Sequence, residues 1–152
     1  EIKKRLSLLT LSQLQLMVKG SLDDAKAMIL LSLVKAYSYL NDFIVEVLRN
    51  KYLLFETTLL ETDYSKFFAS KSLSHPELTA ISQATAGKVK QVIFKLLEQV
   101  GMITQAKNGT ILRPLLSYKA VDAIIKDDPA FLNSFLYSNE EIKSVLQQTK
   151  NV

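Results

Sequence analysis

A chain of 152 residues with 48% hydrophobic and 22% charged side chains has the make-up of one globular domain, or two small ones sharing a core, and not of a disordered segment. Cysteine is absent, which removes disulfide frameworks, thiolate nucleophiles and thiolate metal sites. The net charge is +4, and no apolar run reaches bilayer length, the longest (28–34) being closed by Lys35, so no membrane association is expected and the cytoplasm is the expected compartment.

The chain starts at Glu1 without a signal-peptide pattern and reads as part of a longer product. Residues 2–9 look like the tail of a helix. Thr10 can cap the next one, with Leu11, Leu14, Met17 and Val18 on one face and Gly20 as a left-handed stop. Ser21 opens a third helix, placing Asp23 and Asp24 in the first turn where the dipole favours negative charge. From Ala27 to Val34 it is apolar almost all round, the pattern of a buried central helix. Ser38 begins a fourth, in which Phe43, Ile44, Val47 and Leu48 recur at helical spacing. Residues 1–57 therefore read as a helical bundle.

Periodicity lapses over 53–61, the best subdomain boundary. Thr62-Asp63 starts a short helix through Phe67-Phe68, an aromatic pair expected to pack in the core with Tyr64 at the edge of that core. Ser74-His75-Pro76-Glu77 has the form of a capping box opening a second short helix that ends near Ile81. Ser82 then caps a long helix whose Val89, Val92, Ile93, Leu96, Leu97 and Val100 make an apolar stripe. Lys88, Gln91, Lys95 and Glu98 lie opposite, and Lys90 and Phe94 fall on a flank. Gly101 stops this helix. Residues 102–105 and 110–112 flank Ala106-Lys107-Asn108-Gly109, a hairpin signal. Short helix, short helix, long helix, hairpin is the order of a winged helix-turn-helix, here over 58–116. Ser117 caps a further amphipathic helix, Asp128-Pro129 breaks it, and Asn139-Glu140-Glu141 opens the last, so 117–152 forms C-terminal helices packing on the rest. The expected fold class is mainly α: a helical bundle with a winged helix-turn-helix-like unit and a short β-hairpin.

Charge is unevenly spread. Between Gln83 and Lys119 there are six basic residues and one acid, a local net charge of +5. Concentrated on a helix and a hairpin, that excess is the footprint of a protein that binds a polyanion. The candidate DNA contacts are Gln83, Thr85 and Lys88 in the first turns of the long helix, with Lys90, Lys95, Lys107, Arg113 and Lys119 as peripheral phosphate contacts. A solvated face on an ordinary helical protein would carry such lysines too. Gly87, inside the helix at a cost of about 1 kcal/mol relative to alanine, points to helix packing first and to close approach of a phosphate backbone second.

Catalytic patterns are missing. His75 is the single histidine, without a partner pattern. Asp127-Asp128 and Glu140-Glu141 are sequence neighbours that do not face each other on a helix, and read as ends and caps. There is no Gly-rich phosphate loop, HExxH or nucleophile elbow. A non-enzymatic protein is expected, without cofactor, metal site or small-molecule substrate.

Several blocks share the order and spacing of one family: 43–51 (Phe43 to Lys51), Asp63-Tyr64 with Phe67-Phe68, His75-Pro76-Glu77-Leu78, and 88–94 followed by Gly101. The chain resembles BrxA, the small non-enzymatic component of bacterial BREX bacteriophage-exclusion systems, over roughly residues 1–128. Members usually carry a further N-terminal helical segment, which is not among these residues; the chain also has Ser74 where an aromatic usually precedes the His-Pro pair, and opens the long helix with Ala84-Thr85-Ala86 where a basic residue is usual. The resemblance implies a mostly helical protein that binds double-stranded DNA, mainly through phosphates. It also implies work beside other BREX components: a methyltransferase, an ATPase and a phosphatase-like protein. An adaptor for other defence components and an RNA-binding protein are the alternatives.

Overall fold

The computed structural model describes residues 2–150. The elements are α1 (Ile2–Leu6), α2 (Leu11–Lys19), α3 (Leu22–Ala36), α4 (Ser38–Leu53), α5 (Glu61–Ser74), α6 (Gln83–Gln99), α7 (Tyr118–Asp127) and α8 (Asn139–Lys150), with 3₁₀ turns at Pro76–Ala80 and Pro129–Phe135. The protein is mainly helical.

Local chemistry starts these helices. Thr10, Ser21, Ser82 and Ser117 each accept a backbone N–H of the first turn through the hydroxyl. At α3 the capping box is completed by Asp24, which accepts from the Ser21 N–H at 3.1 Å. The expected capping box at Ser74 does not form. Ser74 is the last residue of α5, which runs six residues beyond Phe68, and Pro76 opens a 3₁₀ turn after His75 without a side-chain cap. Lys71 explains the longer helix: it reaches Asp42 at 3.1 Å and Glu46 at 2.8 Å on α4, which ties down the extra turn. Gly20 also differs from expectation. Its backbone is extended (φ −79°), not left-handed, and glycine is required because a Cβ would strike the Leu16 carbonyl oxygen and come within 2.7 Å of the Asp24 side chain.

α3 lies at the centre, with Ala27, Met28, Leu30, Leu31, Leu33 and Val34 buried, as its sequence predicts. α4 crosses it at 111° and widens to π-helical geometry over Ile44–Arg49. Asn50 donates to the Glu46 carbonyl at 2.7 Å there, and Arg49 donates to the Tyr137 carbonyl at 2.8 Å. α2, α3 and α7 meet at Gln13, which is fully buried. Gln13 donates to the Ala123 carbonyl at 3.2 Å and to Asp127 at 3.1 Å, while its own oxygen accepts from Lys35 at 3.3 Å. Lys35 and Asp127 form a close ion pair beside it. One buried cluster runs from Leu9 to Tyr137 through all these helices.

Among the described residues no regular β-strand forms. The pairing expected on either side of Asn108-Gly109 is reduced to isolated bridges, Ile103 with Ile111 and Thr58 with Thr110. Each segment is too short to extend a ladder, and the pairing of 109–111 is divided between two neighbours. No single helix among the described residues is long and apolar enough to cross a membrane.

Candidate nucleic-acid interface

α6 is positioned by aromatic packing. Phe94 lies 5.9 Å from Tyr64 and 6.1 Å from Phe43, centroid to centroid, and Phe43 lies 5.1 Å from Phe67. Such tilted and edge-on pairs contribute about 0.5–1.5 kcal/mol each beyond the area they bury. Tyr64 is buried, not at an edge, and its hydroxyl meets that of Tyr39 at 3.0 Å. Burial, and then the shared hydrogen bond, push the Tyr39 phenol well above the usual range, so both hydroxyls stay protonated.

This packing rotates α6 from its expected orientation. Ile93, Phe94 and Leu97 are the buried residues of the helix, so Phe94 is core and not flank. Val92, assigned to the core by periodicity, is 50% exposed, and Val89 is also exposed. The reason is the aromatic cluster, which draws the bulky ring of Phe94 inward in preference to a smaller valine. The opposite face carries Lys88, Gln91, Lys95 and Glu98, all exposed. Lys88 and Lys95 are seven residues apart, so they lie two turns from each other on one side, about 10.5 Å along the axis. Neither has an ion-pair partner among the described residues.

The C-terminal end of α6 is locked in a Schellman motif. Gly101 is left-handed (φ +82°), its N–H donates to the Glu98 carbonyl at 3.1 Å, and the Met102 N–H donates to Leu97 at 2.9 Å. The chain then reverses between Thr104 and Thr110, whose backbones are joined at 3.0 Å. Asn108 takes positive φ (+53°), and Gly109 packs where a Cβ would strike the Gln105 carbonyl oxygen. Lys107 is exposed at this tip.

The remaining predicted contacts are more dispersed. Gln83 and Thr85 are exposed in the first turn of α6, but the Thr85 hydroxyl is engaged with Ser82 at 3.0 Å. Lys90 is half-buried and pairs with Glu61 at 3.4 Å. Arg113 is held by Glu141 at 2.5 Å and lies 3.9 Å over the Tyr137 ring. Burial disfavours its charged form, but the Glu141 and Tyr137 contacts outweigh it and raise its pKa. Lys119 lines a different cleft of about 620 Å³, with Lys19, Asp24 and Lys126. The fold thus groups Lys88 and Lys95, places Lys107 at the reversal that follows, and ties Lys90 and Arg113 to acids.

Gly87 faces open space, with nothing within 4 Å of a Cβ built on it, so packing against another helix does not account for it. Sequence reasoning missed Arg5. It lines the same cleft as Lys88, and the run Lys3-Lys4-Arg5 was the available signal, masked by the acids averaged with it over the first half of the chain.

The BrxA family model matches residues 1–128. A protein of Bacillus cereus (strain H3081.97) called BREX protein BrxA is 31% identical over 106 residues, which is 69% of this chain and 53% of that protein. The chain thus spans about half the length of this curated relative. A crystal structure of an uncharacterized protein from Magnetospirillum magneticum superposes with a TM-score of 0.76 over 87% of this chain and 70% of that one, at 19% identity; at that identity the likeness shows a shared fold. With the family match covering more than four-fifths of its length, the chain belongs to the BrxA family.

Proposed function

We propose that the protein is a non-enzymatic component of a bacterial BREX phage-defence system that binds double-stranded DNA mainly through phosphates. The observation that carries this reading is the pair Lys88 and Lys95, exposed on one side of α6 and free of ion pairing among the described residues, with Lys107 on the reversal beyond. Membership of the family supports the defence role, because the Bacillus cereus relative is named for that system. The element order supports a winged-helix reading of 58–116. α5 and α6 stand as a helix-turn-helix pair, the reversal after α6 as the wing, and the Thr58–Thr110 bridge ties the segment before α5 to that wing. Lys90 and Arg113 are occupied by Glu61 and Glu141 and contribute less.

Specificity is expected to be weak, since Ala84 and Ala86 bring no polar group to base edges and leave only Gln83 and Thr85, whose oxygen already accepts from Ser82, to read them in the first turn. Lys88, Lys95 and Lys107, none ion-paired among the described residues, neutralise about three phosphates, so log K should fall against log salt with a slope of about −2.7. The test is a salt titration of the chain on random-sequence duplex DNA. Lys88→Ala with Lys95→Ala should make the slope shallower by about two units and weaken unrelated duplexes alike. A flat salt response would remove the reading, and tighter binding to structured RNA than to duplex DNA would redirect it to RNA.

A further inference from the structure

Alongside the proposed DNA face runs an apolar cleft of about 630 Å³ between α6 and the α3–α4 junction. Leu33, Tyr37 and Leu40 form one wall; Val89, Val92 and Leu96 form the other. Val92 is half exposed and Val89 is also exposed, although Val89 stands one helical turn from the core residue Ile93 and Val92 one turn from the partly buried Leu96. Two cations border the cleft, Arg5 from α1 and Lys88 from α6. Neither has an ion-pair partner among the described residues. The Nε of Arg5 is buried and has no hydrogen-bond acceptor among the described residues.

We propose that this cleft binds an acidic amphipathic helix of another protein, its apolar residues seated on Val89, Val92 and Leu96 and its carboxylates meeting Arg5 and Lys88. The apolar lining suits a helix read at i, i+3, i+4 and i+7 anchors. The two bordering cations, neither ion-paired among the described residues, specify the sign of the flank, because a carboxylate carries the complementary charge for both. The chain as a whole carries +4, so a second copy meets like charge while an acidic partner meets complementary charge. Nucleic acid is a poor occupant, since phosphates do not wet valine and leucine walls. This inference does not rest on DNA binding, and the two are separable through Val92, which belongs to the cleft alone.

The probe is a fluorescein-labelled amphipathic peptide of about 16 residues, with leucines at helical spacing and glutamates on both flanks, beside a lysine-flanked twin. Anisotropy with the whole chain should show binding of the glutamate peptide and weaker binding of its twin by at least about tenfold. Val92→Gln, at a position exposed enough to keep the helical circular-dichroism spectrum, should weaken the glutamate peptide by about tenfold or more and leave random duplex DNA within about twofold. Lys88→Glu should reverse the preference between the twins. Lack of binding by either peptide, or equal binding of both, would overturn the proposal. So would a dimer in sedimentation velocity that Val92→Gln abolishes, or a Val92→Gln variant that loses DNA as much as peptide.

Discussion

Three glycines do three different jobs at the scale of single residues. Gly20 is required by contact, since a Cβ would enter the Leu16 carbonyl and crowd Asp24; Gly101 is required by its left-handed backbone; Gly87 is required by neither. Gly20→Ala should therefore destabilise the protein by about 1–3 kcal/mol through overpacking. Gly87→Ala should stabilise it by about 1 kcal/mol, because the methyl group meets open space on an exposed helical face. Chemical denaturation of the two variants checks both signs, and stabilisation by Gly20→Ala would refute the steric account. Sequence alone shows both as glycines near or within a helix. The difference lies in what surrounds each Cβ, which no local pattern encodes.

Elements are joined by a few polar ties on an apolar background, and these were only partly legible. The starts of α2, α3, α6 and α7 could be read from Thr10, Ser21, Ser82 and Ser117, since a hydroxyl needs only its own first turn to act as a cap. The seating of α8 could not. Ser138 caps that helix by accepting the Glu141 N–H at 3.1 Å, while the Glu141 carboxylate accepts the Ser138 N–H at 3.0 Å and also holds Arg113, 28 residues earlier in the chain. Arg113→Met should release that tie and the stack on Tyr137, costing about 1–2 kcal/mol and raising amide exchange in α8 before the rest of the molecule. Hydrogen exchange by residue is the measurement, and uniform change through the chain would count against a local tie. The same contact removes Arg113 from the list of free cations. A basic residue's availability depends on which acid the fold brings to it.

At the scale of the whole molecule, three carboxylates hold the helices together across long sequence separations. Asp24 accepts from the Ser117 hydroxyl at 2.6 Å, Asp127 pairs with Lys35, and Glu141 pairs with Arg113. The Ser117 bond lowers the pKa of Asp24. Burial works to raise those of Asp127 and Glu141, but their hydrogen bonds and paired cations outweigh it and leave both lowered. The unfolded chain therefore takes up protons before the folded one does. This stability is fully present above the ordinary carboxylate pKa of about 4 and is lost as pH falls through the lower folded values. Urea unfolding at pH 7 and at successive steps below about pH 4 should show that loss, and Asp24→Asn should make it less steep. By itself the sequence determined the helical class, most helix starts, the buried centre of α3, the family, and the local crowding of positive charge. All of these depend on residue type and short-range spacing. Only the tertiary structure decided which face of α6 is inward, which of its cations stay unpaired, and that Arg5 comes beside Lys88. Those outcomes follow from the ring of Phe94 competing with valines for the aromatic core and from acids arriving from distant helices, and neither is written in the periodicity of one segment.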